Sequence, residues 1–150
     1  MIDVTVHNDI ARPAPEVFAF VTDPDNLPAW RTNTVSVRRE DDGPLAVGSR
    51  LREVHRGPGG RELASLVEVA ELEPDRVFAL RMLEGPLPIH ARITFDATPD
   101  GTHVAFTAHG QPSGPMRLVQ PLLRRVVRRQ CAAHLAQLKR VMQQPGAPVP

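Results

Sequence analysis

Glu53 and His55 stand two residues apart in GSRLREVHR, residues 48–56, and residues two apart on an extended strand point to the same side. A carboxylate and an imidazole so placed can move protons to and from a carbonyl-bearing substrate. Leu51 shares their face, whereas Arg50, Arg52 and Arg56 take the other. The alternative is a solvent-facing pair, since charged side chains are common on exposed strand faces. A second imidazole, His134, lies in a stretch whose apolar residues recur every three or four positions. Advancing ~100° per residue from Val119 puts Gln130 and His134 at about 20° and 60°, among Leu123 and Val127. His134 then reads as a ligand-binding or proton-transfer group, or as a core histidine satisfied by a backbone carbonyl. Glu53, His55 and His134 are the candidate catalytic residues. Ser65 and Glu84 read as inward on similar grounds.

The elements that must hold these side chains are mostly strands. In IHARITFDA, Ile89, Ala91, Ile93, Phe95 and Ala97 alternate with polar residues, and THVAFTAHG repeats the pattern with Val104, Phe106 and Ala108. TPDG between them is a tight-turn sequence, with Gly101 free to take positive φ. DRVFALRML, RELASLVEVAEL, GSRLREVHR and NTVSVRRE complete a six-strand meander, and IDVTVHND supplies a seventh strand. The apolar stripe Val119, Leu123, Val127, Cys131, Leu135, Leu138 and Met142 predicts a long C-terminal helix, kinked or freshly started near Pro121. EVFAFVTDPDNLPAW, residues 16–30, predicts two short helices. Asp23 before Pro24 ends the first and can cap the second, on which Leu27 and Trp30 share a face. So small a pair cannot cover seven strands, so the sheet must curve around the long helix.

A formal charge of +1 argues against a global field drawing the chain to nucleic acid or an acidic membrane. GPGG lacks the Lys-Ser/Thr of a phosphate loop, and no aromatics interleave the basic run. The lone Cys131 makes no internal disulfide, and no Cys/His ligand spacing occurs, so neither metal nor cofactor is expected. The start carries no basic region with an apolar run, and no stretch of about 18 apolar residues exists, which predicts a cytoplasmic chain without integral membrane association. Residues 1–142 are read as one domain and 143–150, QPGAPVP after Gln143, as a disordered tail. A homodimer is compatible with all of this. The run RRVVRR places Arg124, Arg125, Arg128 and Arg129 opposite the apolar stripe, as a solvated face or as a site for phosphate or anionic lipid.

The order strand, two short helices, six-strand meander and long helix resembles the helix-grip fold of the START-like (SRPBCC) superfamily. EVFAFVTDPDNLPAW, GSRLRE, LEPDRVFALR, ITFDATPDGTHVAFT and PLLRRVVRRQ resemble, in order, the "polyketide cyclase / dehydrase and lipid transport" family. The resemblance implies an α+β fold with a seven-stranded curved antiparallel sheet and a cavity between it and the C-terminal helix. A close-packed interior is the competing reading. In such a cavity Trp30, Leu51, Phe78, Met82, Ala91, Ile93, Phe106, Val127, Gln130 and His134 are expected to meet a hydrophobic small molecule. Trp30 would act there as an aromatic platform, or else anchor the short helices. The family spans carriers and enzymes, so three functions remain open: a binding protein for a polyketide, lipid or aromatic metabolite; a cyclase or dehydratase; and a protein-interaction module using the arginine face.

Overall fold

The computed structural model describes residues 2–85, 89–112 and 114–143. Strand β1 (Ile2–Ile10) leads into helix α1 (Ala14–Thr22), a 3-10 turn (Pro24–Asn26) and the single-turn helix α2 (Leu27–Trp30). Strands β2 (Thr34–Arg39), β3 (Arg50–Arg56), β4 (Glu62–Glu73), β5 (Val77–Glu84), β6 (Ile89–Thr98) and β7 (Gly101–Gly110) follow, and helix α3 (Gln120–Gln143) comes last. The strands form one antiparallel sheet in the order β1-β7-β6-β5-β4-β3-β2, so the first strand pairs with the last, Ile2 opposite Gly110 and Ile10 opposite Thr102. Among the described residues no helix is long and apolar enough to cross a membrane.

Local chemistry accounts for the short helices. The Asp23 carboxylate accepts the Asp25 backbone N–H at 3.0 Å, with Pro24 in the first turn, so one residue both stops α1 and caps the next turn. Leu27 and Trp30 are both buried. The β6–β7 turn needs Gly101: its φ is +150°, and a Cβ there would collide with the Ile10 carbonyl oxygen.

Curvature comes from register shifts. β2 shifts between Thr34 and Ser36, and β4 shifts twice against β5, after Leu66 and after Val69. Bulges of this kind bend and twist the strand that carries them. The first of the β4–β5 shifts leaves the extra residue, Leu83, on β5 and the second leaves Ala70 on β4, while Ser65, Leu66 and Val67 of β4 are all buried. α3 packs over β1, β7 and α2 at one side of the concave face. The opposite side, β3 to β5, curves away from it.

Three details differ from the sequence expectation. α3 does start afresh just before Pro121, at Gln120, as expected, but the segment before it, Gly114–Val119, is a 3-10 helix. That segment turns about 120° per residue, so the 100° stripe does not extend back to Val119, which is 44% exposed. Glu84 is exposed near the end of β5 rather than inward. Gln143 belongs to the helix, its Oε1 accepting the Ala11 backbone N–H at 2.8 Å; the rest of the expected tail, 144–150, lies outside the described residues.

Candidate functional site: a cavity with one polar end

Between the N-terminal half of α3 and the inner faces of β3 to β7 lies a cavity of about 490 Å³. Most of its wall is aliphatic. Leu63, Val67, Leu80 and Met82 rise from β4 and β5, and Leu123, Val126 and Val127 descend from α3. Ala91 and Ala108 leave the sheet side low. A hollow of similar size on the convex face is open to solvent and flanked by Arg81, His90 and Arg92. The concave cavity is the candidate site because its wall is mostly apolar and its polar groups converge.

Those groups gather around Glu53, which is 1% exposed. Arg31 Nη1 donates to Glu53 Oε2 at 3.0 Å. His55 Nε2 lies 3.0 Å from Glu53 Oε1 and 3.0 Å from Ser65 Oγ, while its Nδ1 is 3.4 Å from Thr34 Oγ1. The Nε2 to Oε1 approach brings the charges together, but no aligned donor meets Oε1, nor does any partner meet the buried Arg31 Nε. Burial pushes the Glu53 carboxyl up. The Arg31 guanidinium and the His55 ring outweigh that and hold it at about 2, so Glu53 is an anion at neutral pH.

His134 stands across the same space. Its Nδ1 accepts the Thr32 backbone N–H at 3.1 Å, which fixes the neutral tautomer with the proton on Nε2. Burial, with the positive field of Arg31 and the nearby His55, lowers its pKa to about 3. A backbone N–H, not the backbone carbonyl expected of a core histidine, is its partner, so His134 is an acceptor at Nδ1 and a donor at Nε2. Trp30 packs edge-on to His134 and Phe106, with ring centroids 6.2 Å and 6.3 Å away. Burial raises the Cys131 thiol to about 11, so it stays protonated despite Arg31 and Arg128 nearby.

Of the residues singled out in the sequence, Glu53, His55, His134, Met82, Ala91, Phe106, Val127 and Gln130 line the cavity. Trp30, Phe78 and Ile93 lie beside it around a small hollow shared with Leu27, Leu80, Ala91 and Phe106. Leu51 is fully buried and lines neither space, one strand position too far toward the start of β3. Sequence reasoning missed Arg31 and Asn33, which the loop after α2 carries to the polar end. Arg56, expected on the outer face of β3, also lines the cavity at the strand's end, and one signal for Arg31 was available: an inward carboxylate demands a cation, while Arg50 and Arg52 beside Glu53 are exposed.

A model of the family described as "Polyketide cyclase / dehydrase and lipid transport" matches residues 1–143. The chain belongs to that family. Its fold is the helix grip. A Thermus thermophilus protein, TTHA0849, superposes with a TM-score of 0.77 at 18% identity, covering 91% of this chain and 94% of that one. A Deinococcus radiodurans protein, DR_A0006, gives 0.67 at 23% identity, covering 92% and 95%. The di-domain ARO/CYC StfQ from the steffimycin biosynthetic pathway gives 0.76 at 16% identity, covering 98% of this chain and 52% of that one. No curated protein matches this chain. Membership in the polyketide cyclase / dehydrase and lipid transport family fits ligand binding or cyclase activity and leaves the ligand to the site itself.

Proposed function

We propose that this member of the family binds a hydrophobic or amphipathic small molecule, a polyketide, lipid or aromatic metabolite, in the cavity between sheet and α3. The observation that carries the reading is a chamber of about 490 Å³ with an aliphatic body and one compact polar end. Ligand sites typically combine a volume of this order with a few convergent polar groups. The guest's apolar part lies along Leu63, Val67, Met82 and Leu123; its oxygen functions face Arg31, His55 and the Nε2–H of His134. The reading places the chain in the cytosol, where Cys131 stays a thiol.

Native mass spectrometry after incubation with a cellular metabolite extract tests it. The wild-type chain should retain an apolar compound, and Ala108→Phe, which fills the chamber, should not. A wild-type chain that emerges empty would overturn the proposal.

The Arg31, Glu53 and His55 cluster favours a second reading, a cyclase or dehydratase that holds a poly-carbonyl chain in a reactive shape. Glu53, with its carboxyl held at about 2, is too weak a base to take protons itself and would orient Arg31 and His55. His134, with its pKa at about 3, would donate a hydrogen bond to a carbonyl, leaving His55 to move protons. Once a substrate is in hand, turnover surviving Glu53→Gln, His55→Ala and His134→Ala alike would eliminate these roles.

A further inference from the structure

The overall charge of +1 conceals a strong segregation. Residues 101–150 hold seven of the eighteen Lys and Arg and none of the seventeen Asp and Glu. Five of the seven, Arg117, Arg124, Arg125, Arg128 and Arg129, cluster around the start of α3, all exposed, and none meets a carboxylate among the described residues. Among them stands an apolar ridge that the fold leaves uncovered: Leu118 is 87% exposed, Leu122 60% and Val126 53%. Leu122 and Val126, four apart on α3, lie one above the other, with Arg125 and Arg129 in the adjacent row. Val126 also lines the cavity, next to Leu123 and Val127, so the ridge runs directly into the cavity's lip.

We propose that this face docks on an anionic lipid bilayer, Leu118, Leu122 and Val126 entering the headgroup boundary while Arg125 and Arg129 meet lipid phosphates. The cavity mouth then opens against the bilayer. An aliphatic ridge flanked by basic side chains has the make-up of an interfacial helix. Guanidinium groups, of which the cluster is exclusively made, match phosphate geometry. The ridge is convex: a soft headgroup layer accepts such a shape anywhere, whereas a protein partner would need a groove cut to receive it. The inference goes beyond ligand binding and stands apart from it, because vesicle binding is read without a guest.

The test is flotation of the full chain with vesicles of phosphatidylcholine alone or mixed with phosphatidylglycerol. The wild type should float with the mixed vesicles only and be released by salt. Arg125→Glu/Arg129→Glu should lower partitioning at least about 25-fold, from about fivefold per arginine. Leu122→Asp/Val126→Asp should lower it comparably. Arg38→Glu/Arg76→Glu, the same charge change on exposed positions that do not line the cavity, should stay within about twofold of wild type, since the field decays within a Debye length. All substituted positions are exposed, and an unchanged far-UV spectrum and Tm confirm folding. Equal binding to neutral vesicles, or an undiminished Leu122→Asp/Val126→Asp variant, would overturn the proposal. So would absence from every vesicle with retention on an immobilised acidic protein.

Discussion

Arg31 and Glu53 illustrate how one buried ion makes a demand on distant chain. Glu53 points inward because β3 alternates, Leu51 and Glu53 inside and Arg50 and Arg52 outside. An ion taken out of water needs a partner, and Arg31, twenty-two residues earlier, supplies it. Replacing Arg31 by Met strands the carboxylate and should cost about 3–5 kcal/mol in urea unfolding. Arg31→Met/Glu53→Leu, which removes both charges, should recover most of that loss. Acid acts through the same residues. His134, whose pKa falls from 6.5 to about 3 on folding, contributes stability that is complete above 6.5 and is lost as pH drops toward 3. Glu53, lowered from 4.5 to about 2, adds a second loss below 4.5. The unfolding free energy should therefore fall steadily from neutral pH to pH 3, with a slope of up to about 1.4 kcal/mol per pH unit from His134 alone, read from urea unfolding at each pH. In His134→Gln the decline between pH 6.5 and 4.5 should flatten. The inward face of Glu53 and His55 was legible from their spacing, whereas Arg31 was not, because its approach depends on how α2 docks.

At the scale of elements, patterns with a single cause were readable and patterns with two were not. The period-two run of β6 and β7, the cap at Asp23 and the stripe from Leu123 to Met142 each follow from one local rule, and each appears where the sequence puts it. Val119 failed because a 3-10 turn changes the angular step just before the helix, and no residue type announces that change. The two shifts between β4 and β5 were equally silent, yet bulges of this kind bend the strands that carry them. Gly101→Ala should lower stability by about 2 kcal/mol or more in chemical denaturation, since the added Cβ meets backbone and the φ of +150° is strained for any L side chain. Asp23→Ala removes the acceptor for the Asp25 N–H and should cost about 1 kcal/mol.

For the whole molecule, the hollow is a choice of packing. α3 lies over the β1 and β7 side, and small residues at Ala91 and Ala108 decline to fill what remains. A guest that binds only the folded chain should raise its unfolding free energy by about 2.7 kcal/mol at a concentration one hundred times its Kd. Calorimetry should register that rise for the wild type and none for Ala108→Phe. Neither the volume of the hollow nor the bare ridge at its lip could be read beforehand, because both depend on where a helix stops short of the sheet.

The pairing of β1 with β7 places Ile2 opposite Gly110 across more than a hundred residues of chain. On a ribosome the opening strand must therefore wait, its edge unclaimed, until nearly everything else has emerged. Contacts this remote in sequence make for late, slow assembly, and the acquisition of a native fold should be governed by the arrival of that final strand.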